Sequence, residues 1–477
     1  MKKILVLFVL IIFGLSLYSC VTNPVTGQKE LDLIPPSQEI AMGRQEYKKV
    51  LSQFDVYRYK DLNRYIEQVG GRLVPYVQDK NIKYTFTLLD SPVVNAFSTP
   101  GGYVYITRGI LAYLNNEAQL ACVLGHEMGH INAHHVATLL SKQMLFNLGL
   151  SIAYIKSKKF RKFAPLIGIA GNLLFLSFSR SDEYQADYLG VEYATLAGYD
   201  ATQMAYFFDE LERIEVSENA ILPEFLSTHP SPPHRKERVI RLAKEWQAIA
   251  KRRYYEIGRD VYLEHINGIL FGKNKRNGYT IGNHYYHPNL RFTFTFPEGW
   301  KLIDMAHYIG IVPKNVKDTY VKITIKRGSM YTLADKFASF GLVLESREVY
   351  INGLNAFKVI RLVKIANKPI VQAAYFIDFN GKTFMFFMQA PSIVWPLFKG
   401  RLEEPALSFR RLRDPRRINV KNLYVKVVKV PYSMEFHKLL ERFRVPKKLR
   451  KKIYIMNNMY RNTLLAQGEM VKILVKR

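Results

Sequence analysis

Apolar residues recur at helical spacing from Leu120 through Val123, Leu124, Met128, Ile131, Val136, Leu139 and Leu140. That period predicts one helix from about residue 116 to beyond 140, opened by Asn115-Asn116 with Glu117 in its first turn. Upstream, GGYVYITRG sets Tyr103, Tyr105 and Thr107 against Val104 and Ile106, the alternation of a strand with two distinct faces. After residue 260 the pattern changes. LRFTFTFPEGWKL alternates and ends in a Pro-Glu-Gly-Trp turn; TYVKITIKRG, NAFKVIRLVKI and a hairpin around Asn380-Gly381 follow. From about 417 the chain reads strand, helix, helix, strand, closing on GEMVKILV. Between 144 and 180, apolar runs broken by Pro165, Gly168, Gly171 and a KSKKFRK cluster are too short to span a bilayer. They predict an amphipathic hairpin that covers a cleft or rests on a membrane surface.

Composition changes this picture in two places. A chain of 477 residues exceeds one hydrophobic core, and 48% apolar content excludes a disordered or fibrous class. The net charge is +29, and from residue 401 onward 21 basic residues face 6 acidic ones, so about half of the excess sits in the last 77. A basic end of this kind points to an anionic neighbour. The N-terminus chooses among neighbours: Met1-Lys2-Lys3, an apolar run Ile4 to Leu17, then Tyr18-Ser19-Cys20. This is the layout of a secretory signal, and its end resembles a bacterial lipobox with Cys20 as the lipidated residue. An exported chain disfavours nucleic acid as partner. Only Cys122 then remains, a buried small hydrophobe rather than half of a disulfide.

The candidate chemistry lies in ACVLGHEMGHINAHHVA, residues 121–137. On a helix His126 and His130 are one turn apart on one face and can converge on a single ion. Glu127, rotated by about 100°, stands beside that ion as a base acting on water. The H-E-x-x-H spelling is the zinc-hydrolase pattern. Gly125 and Gly129 permit close approach of a neighbouring backbone or substrate. His134 lies about 6 Å further along the same stripe, and with His135 it reads as a structural imidazole. Catalytic zinc takes three protein ligands, and SRSDEYQADYLG, residues 179–190, offers the third. Glu183 and Asp187, four apart, face the same way; Glu183 is the ligand candidate, Asp187 the acceptor that fixes an imidazole tautomer.

NPVTGQKELDLIPPSQEIAMG, NAFSTPGGYVYITRGIL, GHEMGH, SRSDEYQADYLG and STHPSPPHR, taken in order over residues 21–245, resemble the membrane-associated zinc metalloproteases that include HtpX, the CAAX prenyl protease and the lipoprotein BepA. The resemblance implies one Zn²⁺ on His126, His130 and Glu183, with Glu127 as general base or acid and Asp187 behind the ligands. The strand with Gly102, Tyr103 and Val104 is expected to edge the cleft and pair with an extended substrate. Asn95, Ala96 and Phe97 would line the same cleft. His229, before a proline-rich turn, is open between an oxyanion-stabilising role, a latency ligand for the metal and a surface histidine. The expected fold is α+β: a signal peptide at 1–20, a mainly helical zincin-type protease domain at 21–260, a PsbP-like α+β domain at 261–410 and a basic LysM-like module at 411–477. The implied activity is that of a lipid-anchored endopeptidase acting on extended or misfolded envelope proteins. Its outer-membrane location is favoured by Val21 after Cys20, and the C-terminal module would meet peptidoglycan or anionic lipid. The rival reading is a chaperone-like or wall-binding lipoprotein with a latent metal site, which leaves Glu127 without a purpose.

Overall fold

A computed structural model describes residues 20–23, 25, 27, 29–31, 33–144, 177–217, 224–229, 234–305 and 307–477. The expected signal segment, the Cys20 side chain and the apolar stretch from 145 to 176 lie outside them. The fold mixes helix and strand, and no helix among the described residues is long and apolar enough to cross a membrane.

The chain divides into two compact units. The first gathers Met1–Leu51, Asp55–Gly272 and Leu423–Val475; the second is mainly Lys273–Asn422. In the first, α1 (Pro36–Gln53) and α2 (Lys60–Leu73) precede a small sheet of β1 (Thr85–Leu89), β2 (Ala96–Thr99) and β3 (Tyr103–Thr107). The short α3 (Arg108–Leu111) leads into α4 (Glu117–Asn132). Then come α5 (Arg180–Leu196), α6 (Gln203–Ser217), α7 (Glu224–Thr228), α8 (Arg235–Ala250) and α9 (Arg259–Ile266).

The sheet order is β1-β3-β2. β3 is therefore central, parallel to β1 and antiparallel to β2, and Val104 faces Phe86 on one side and Ser98 on the other. The expectation that Gly102, Tyr103 and Val104 edge the cleft is corrected here. Both hydrogen-bonding sides of that strand are taken, so it cannot add a substrate strand. Gly102 is a turn residue, with φ +95 and a Cβ position that would overlap the Lys83 carbonyl. β2 is one edge strand of this sheet, and β1 is the other.

The helix expected to run from 116 past 140 begins as read, with Asn116 accepting from Gln119 N at 2.8 Å. It stops at Asn132. His134 turns left-handed at φ 54, and helix resumes at residue 135. The His134 Nδ1 contact with Glu39 Oε2 at 2.7 Å holds this break, so His134 does not continue the metal-facing stripe.

The segment expected as a separate module over 411–477 is divided. Residues up to 422 stay with the second unit, while Leu423–Val475 joins the first. The reason is burial: Val425, Leu439, Ile453 and Ile473 share one core with Leu62, Leu120, Leu124 and Phe207. Strand β4 (Leu270–Phe271) pairs with β5 (Leu423–Lys429), which also neighbours β6 (Met470–Lys476). From β6 the fully buried Lys472 donates its ammonium to the carbonyls of Ala112, Tyr113 and Leu114 at 3.0, 3.2 and 2.7 Å. These carbonyls lie between α3 and α4. Tyr113 O also accepts from Asn115 Nδ2, so Lys472→Met is expected to strand the Ala112 and Leu114 carbonyls at about 1–3 kcal/mol each in the least relaxed case, read as a lower melting temperature; an unchanged melt would show the tie to be idle.

The second unit holds a seven-stranded antiparallel sheet running spatially from Lys301–Met305 through Tyr308–Val312, Tyr320–Lys326, Lys382–Pro391, Lys368–Phe379 and Leu354–Ile365 to Leu342–Ile351. Its core is aromatic, built on Phe292, Phe294, Phe384, Phe386 and Phe409.

Candidate metal centre

Helices α4 and α5 approach until their backbones touch. A Cβ on Gly190 would sit 2.9 Å from His126 N, and one on Gly129 would sit 3.1 Å from Leu189 Cβ. Glycine at these positions lets α5 bring Glu183 up to the imidazoles of α4, the close backbone approach expected of Gly125 and Gly129. The start of α4 is pinned by Glu117, which accepts from Tyr65 and Tyr199 hydroxyls at 2.8 and 2.6 Å and from Arg72 at 3.0 Å. Helix α5 opens on a capping box between Ser179 and Asp182.

His126, His130, Glu183 and His229 converge, each offering one ligand atom within 4.8 Å of all the others. All four are fully buried. His126 Nε2 and His130 Nε2 lie 3.1 Å apart. Glu183 Oε2 is 3.6 Å from His126 Nε2, and its Oε1 is 3.5 Å from His130 Nε2. His229 Nδ1 stands 3.0 Å from Glu183 Oε1 and 3.3 Å from His126 Nε2. Among the described residues, buried His229 Nε2 and Glu127 Oε1 have no hydrogen-bond partner although only 3.4 Å separates them. Imidazole nitrogens turned toward one another beside a carboxylate form a donor set that a divalent cation satisfies. Nitrogen and oxygen donors of this kind suit zinc.

Charge is arranged to keep that set ready. Burial holds His130 well below the ordinary histidine value, so it stays neutral. Burial alone would raise Glu183, but His229, His130 and His126 outweigh it and hold the carboxyl well below its usual range. Asp187 behaves likewise: burial opposes ionisation, while Arg235 and His126 lower it. His229 is raised, since Glu183 and Glu127 overcome its burial. Asp187 Oδ1 lies 3.0 Å from His126 Nδ1, so with hydrogen on Nδ1 the ring turns its Nε2 lone pair to the centre. Buried Arg235, from the first residue of α8, donates to both Asp187 oxygens at 2.7 Å and reaches Glu183 Oε2 at 3.2 Å.

On edge strand β2, Ser98 Oγ donates to Glu127 Oε2 at 3.0 Å. The hydroxyl fixes the carboxylate that flanks the centre and ties it to the free strand edge. Ser98→Ala removes one charge-assisted bond, about 1.5–3 kcal/mol, and is expected to lower kcat/KM about tenfold or more with metal content unchanged.

Of the residues singled out by sequence, the structure brings His126, Glu127, His130, Glu183, Asp187 and His229 together. Asn95, Ala96 and Phe97 lie at or beside β2, and all three are buried. Two further contributors escaped the sequence reading, Ser98 and Arg235. Ser98 stands inside NAFST and Arg235 closes STHPSPPHR, so both were within quoted motifs. Nothing local distinguishes them from other polar residues, because their partners come from helices elsewhere in the chain.

Buried His-Glu-x-x-His donors on one helix, completed by a glutamate from a second, define the class of a metallopeptidase site. Residues 60–243 match Peptidase family M48. It is similar to the putative beta-barrel assembly-enhancing protease of Vibrio cholerae, 31% identical over 206 residues that cover 42% of each chain. It is 27% identical over 223 residues, 45% of each chain, to the beta-barrel assembly-enhancing protease of Escherichia coli K12. The mitochondrial metalloendopeptidase OMA1 of Schizosaccharomyces pombe is 28% identical over 228 residues, covering 47% of this chain and 65% of that one. The matched segment thus spans less than half the length of the two bacterial relatives. The solution structure of cyanobacterial PsbP from Synechocystis overlaps 28% of this chain and 94% of its own, at 15% identity and a TM-score of 0.23.

Proposed function

We propose that the protein is a zinc-dependent endopeptidase that hydrolyses peptide bonds of extended or misfolded polypeptides. The observation that carries this reading is the buried convergence of His126, His130 and Glu183 with Glu127 beside them. His126, His130 and Glu183 would hold the zinc, and His229 stands as a fourth donor. Zinc bound there supplies Lewis acidity, making water a nucleophile near neutral pH and polarising a carbonyl. Glu127 takes the proton from the attacking water and returns it to the leaving amine. Ser98 orients that carboxylate, and Asp187 with Arg235 keeps His126 and Glu183 in place. The free edge of β2 suits an extended chain, whose backbone would pair there while Asn95, Ala96 and Phe97 shape the adjoining wall. Bound as a fourth donor, His229 would close the site to substrate, and the hydrolysis described here would require it to withdraw.

The setting we propose is the bacterial envelope, with the chain held by lipid on Cys20 and the outer membrane favoured. Misassembled envelope proteins are the proposed substrates. The lipobox-like N-terminus and the similarity to bacterial assembly-enhancing proteases support this. The basic C-terminal segment suits anionic lipid or peptidoglycan. Metal removal tests the core of the reading. The full chain is expected to carry one zinc per molecule and cleave denatured casein, to lose cleavage on chelation, and to regain it with added zinc. Undiminished cleavage by the metal-free protein would end it.

A further inference from the structure

We infer that His135 is a positioning residue for the metal centre, fixing the tautomer of His130 through a relay that ends on Gln185. The inference rests on the zinc reading above. His130 and His126 need the same thing from their surroundings: hydrogen on Nδ1, so that the Nε2 lone pair faces the cation. His126 obtains it from a carboxylate, Asp187. Among the described residues the partner at His130 Nδ1 is no carboxylate but the Nδ1 of His135, at 2.8 Å.

Two imidazole nitrogens at that distance share one hydrogen, and the other end of the chain decides which ring owns it. His135 Nε2 lies 2.9 Å from Gln185 Oε1, a carbonyl oxygen that only accepts. His135 therefore carries its hydrogen on Nε2 and donates it to Gln185. Its Nδ1 is left as an acceptor, so the shared hydrogen belongs to His130. The His130 Nε2 lone pair then points at Glu183 and His126, where the cation would sit. The opposite polarity would place hydrogen on His130 Nε2 and close it to metal. Asp182 Oδ1, at 4.0 Å from His135 Nε2, is too far to compete as a hydrogen-bond acceptor.

The fold supplies the geometry. His135 is five residues beyond His130 and on a continuous helix would point elsewhere; the left-handed turn at His134 folds it back. The ring is 4% exposed, so water does not stand in for either bond. Gln185 sits on α5 between Glu183 and Asp187. One helix thus provides a ligand, the partner of one imidazole and the end of the relay to the other.

The test uses the full chain and measures zinc dissociation constants by competition with a chromophoric chelator, alongside thermal melts. His135→Phe keeps an aromatic ring but removes the acceptor. His135→Asn keeps an acceptor oxygen at the position of Nδ1. Outer partners of ligating histidines are worth about 10- to 100-fold in metal affinity. The Phe variant is expected to bind zinc weaker by that factor, and the Asn variant to stay within about threefold of wild type on the same scale. Wild-type affinity in the Phe variant overturns the relay, as does an equal loss in both variants, which would mean packing alone. If the Phe variant does not fold, the Asn variant decides, because a loss there contradicts the relay. A wild-type protein that binds no zinc fails differently: it removes the metallopeptidase reading and this inference with it.

Discussion

Glu127→Gln is expected to retain zinc and to hydrolyse denatured casein about 10²- to 10⁴-fold more slowly than wild type, the usual share of a general acid–base group. The carboxylate is fully buried, 3.4 Å from His229 Nε2, and its other oxygen accepts from Ser98. Glutamine has the same volume and can still accept from Ser98 through its amide oxygen, so the cleft and the three ligands are preserved. What it lacks is a basic oxygen to take a proton from water. A loss of zinc in this variant would show that Glu127 is structural, and cleavage equal to wild type would remove it from the chemistry. The two readouts separate positioning from proton transfer, which activity alone does not.

Arg235→Ala is expected to destabilise the protein by about 3–5 kcal/mol, the cost of breaking a buried ion pair by removing one partner. At about 2–4 °C per kcal/mol for a unit of this size, the melting temperature should fall by roughly 6–20 °C. Arg235 is 3% exposed and is the cation facing Asp187 and Glu183, two carboxylates buried on one face of α5. Without it, among the described residues, the buried Asp187 keeps only the His126 ring as a hydrogen-bond partner. Its guanidinium also stacks over Phe208 at 4.3 Å, so alanine opens a gap as well. Arg235→Lys keeps charge but cannot fork onto both Asp187 oxygens, and should fall between the two. A melt within a degree of wild type for the alanine variant would show that the carboxylates do not depend on it.

Much of the centre was legible because helical period is local. His126, Glu127 and His130 are placed by their spacing alone, and so are Glu183 and Asp187 relative to one another. That the two groups meet required a reason for the helices to touch, which Gly125, Gly129 and Gly190 supply. The strand at 103–107 was legible as a strand, yet its place in the sheet was not. A central strand and an edge strand alternate in the same way, and only their neighbours differ.

By itself the sequence determined the spacing of the five polar side chains of the H-E-x-x-H and E-x-x-x-D pairs and the helices that carry them, since each depends on contacts within two turns. Tertiary structure decided the rest: β2 rather than β3 at an edge of the sheet, Arg235 between two acids, His135 folded back onto His130, and Leu423–Val475 absorbed into the core of the first unit. Apart from His135, five positions beyond His130, these are meetings of residues tens to hundreds of positions apart. Their energies come from burial and from pairing polar groups removed from water, which no local pattern records.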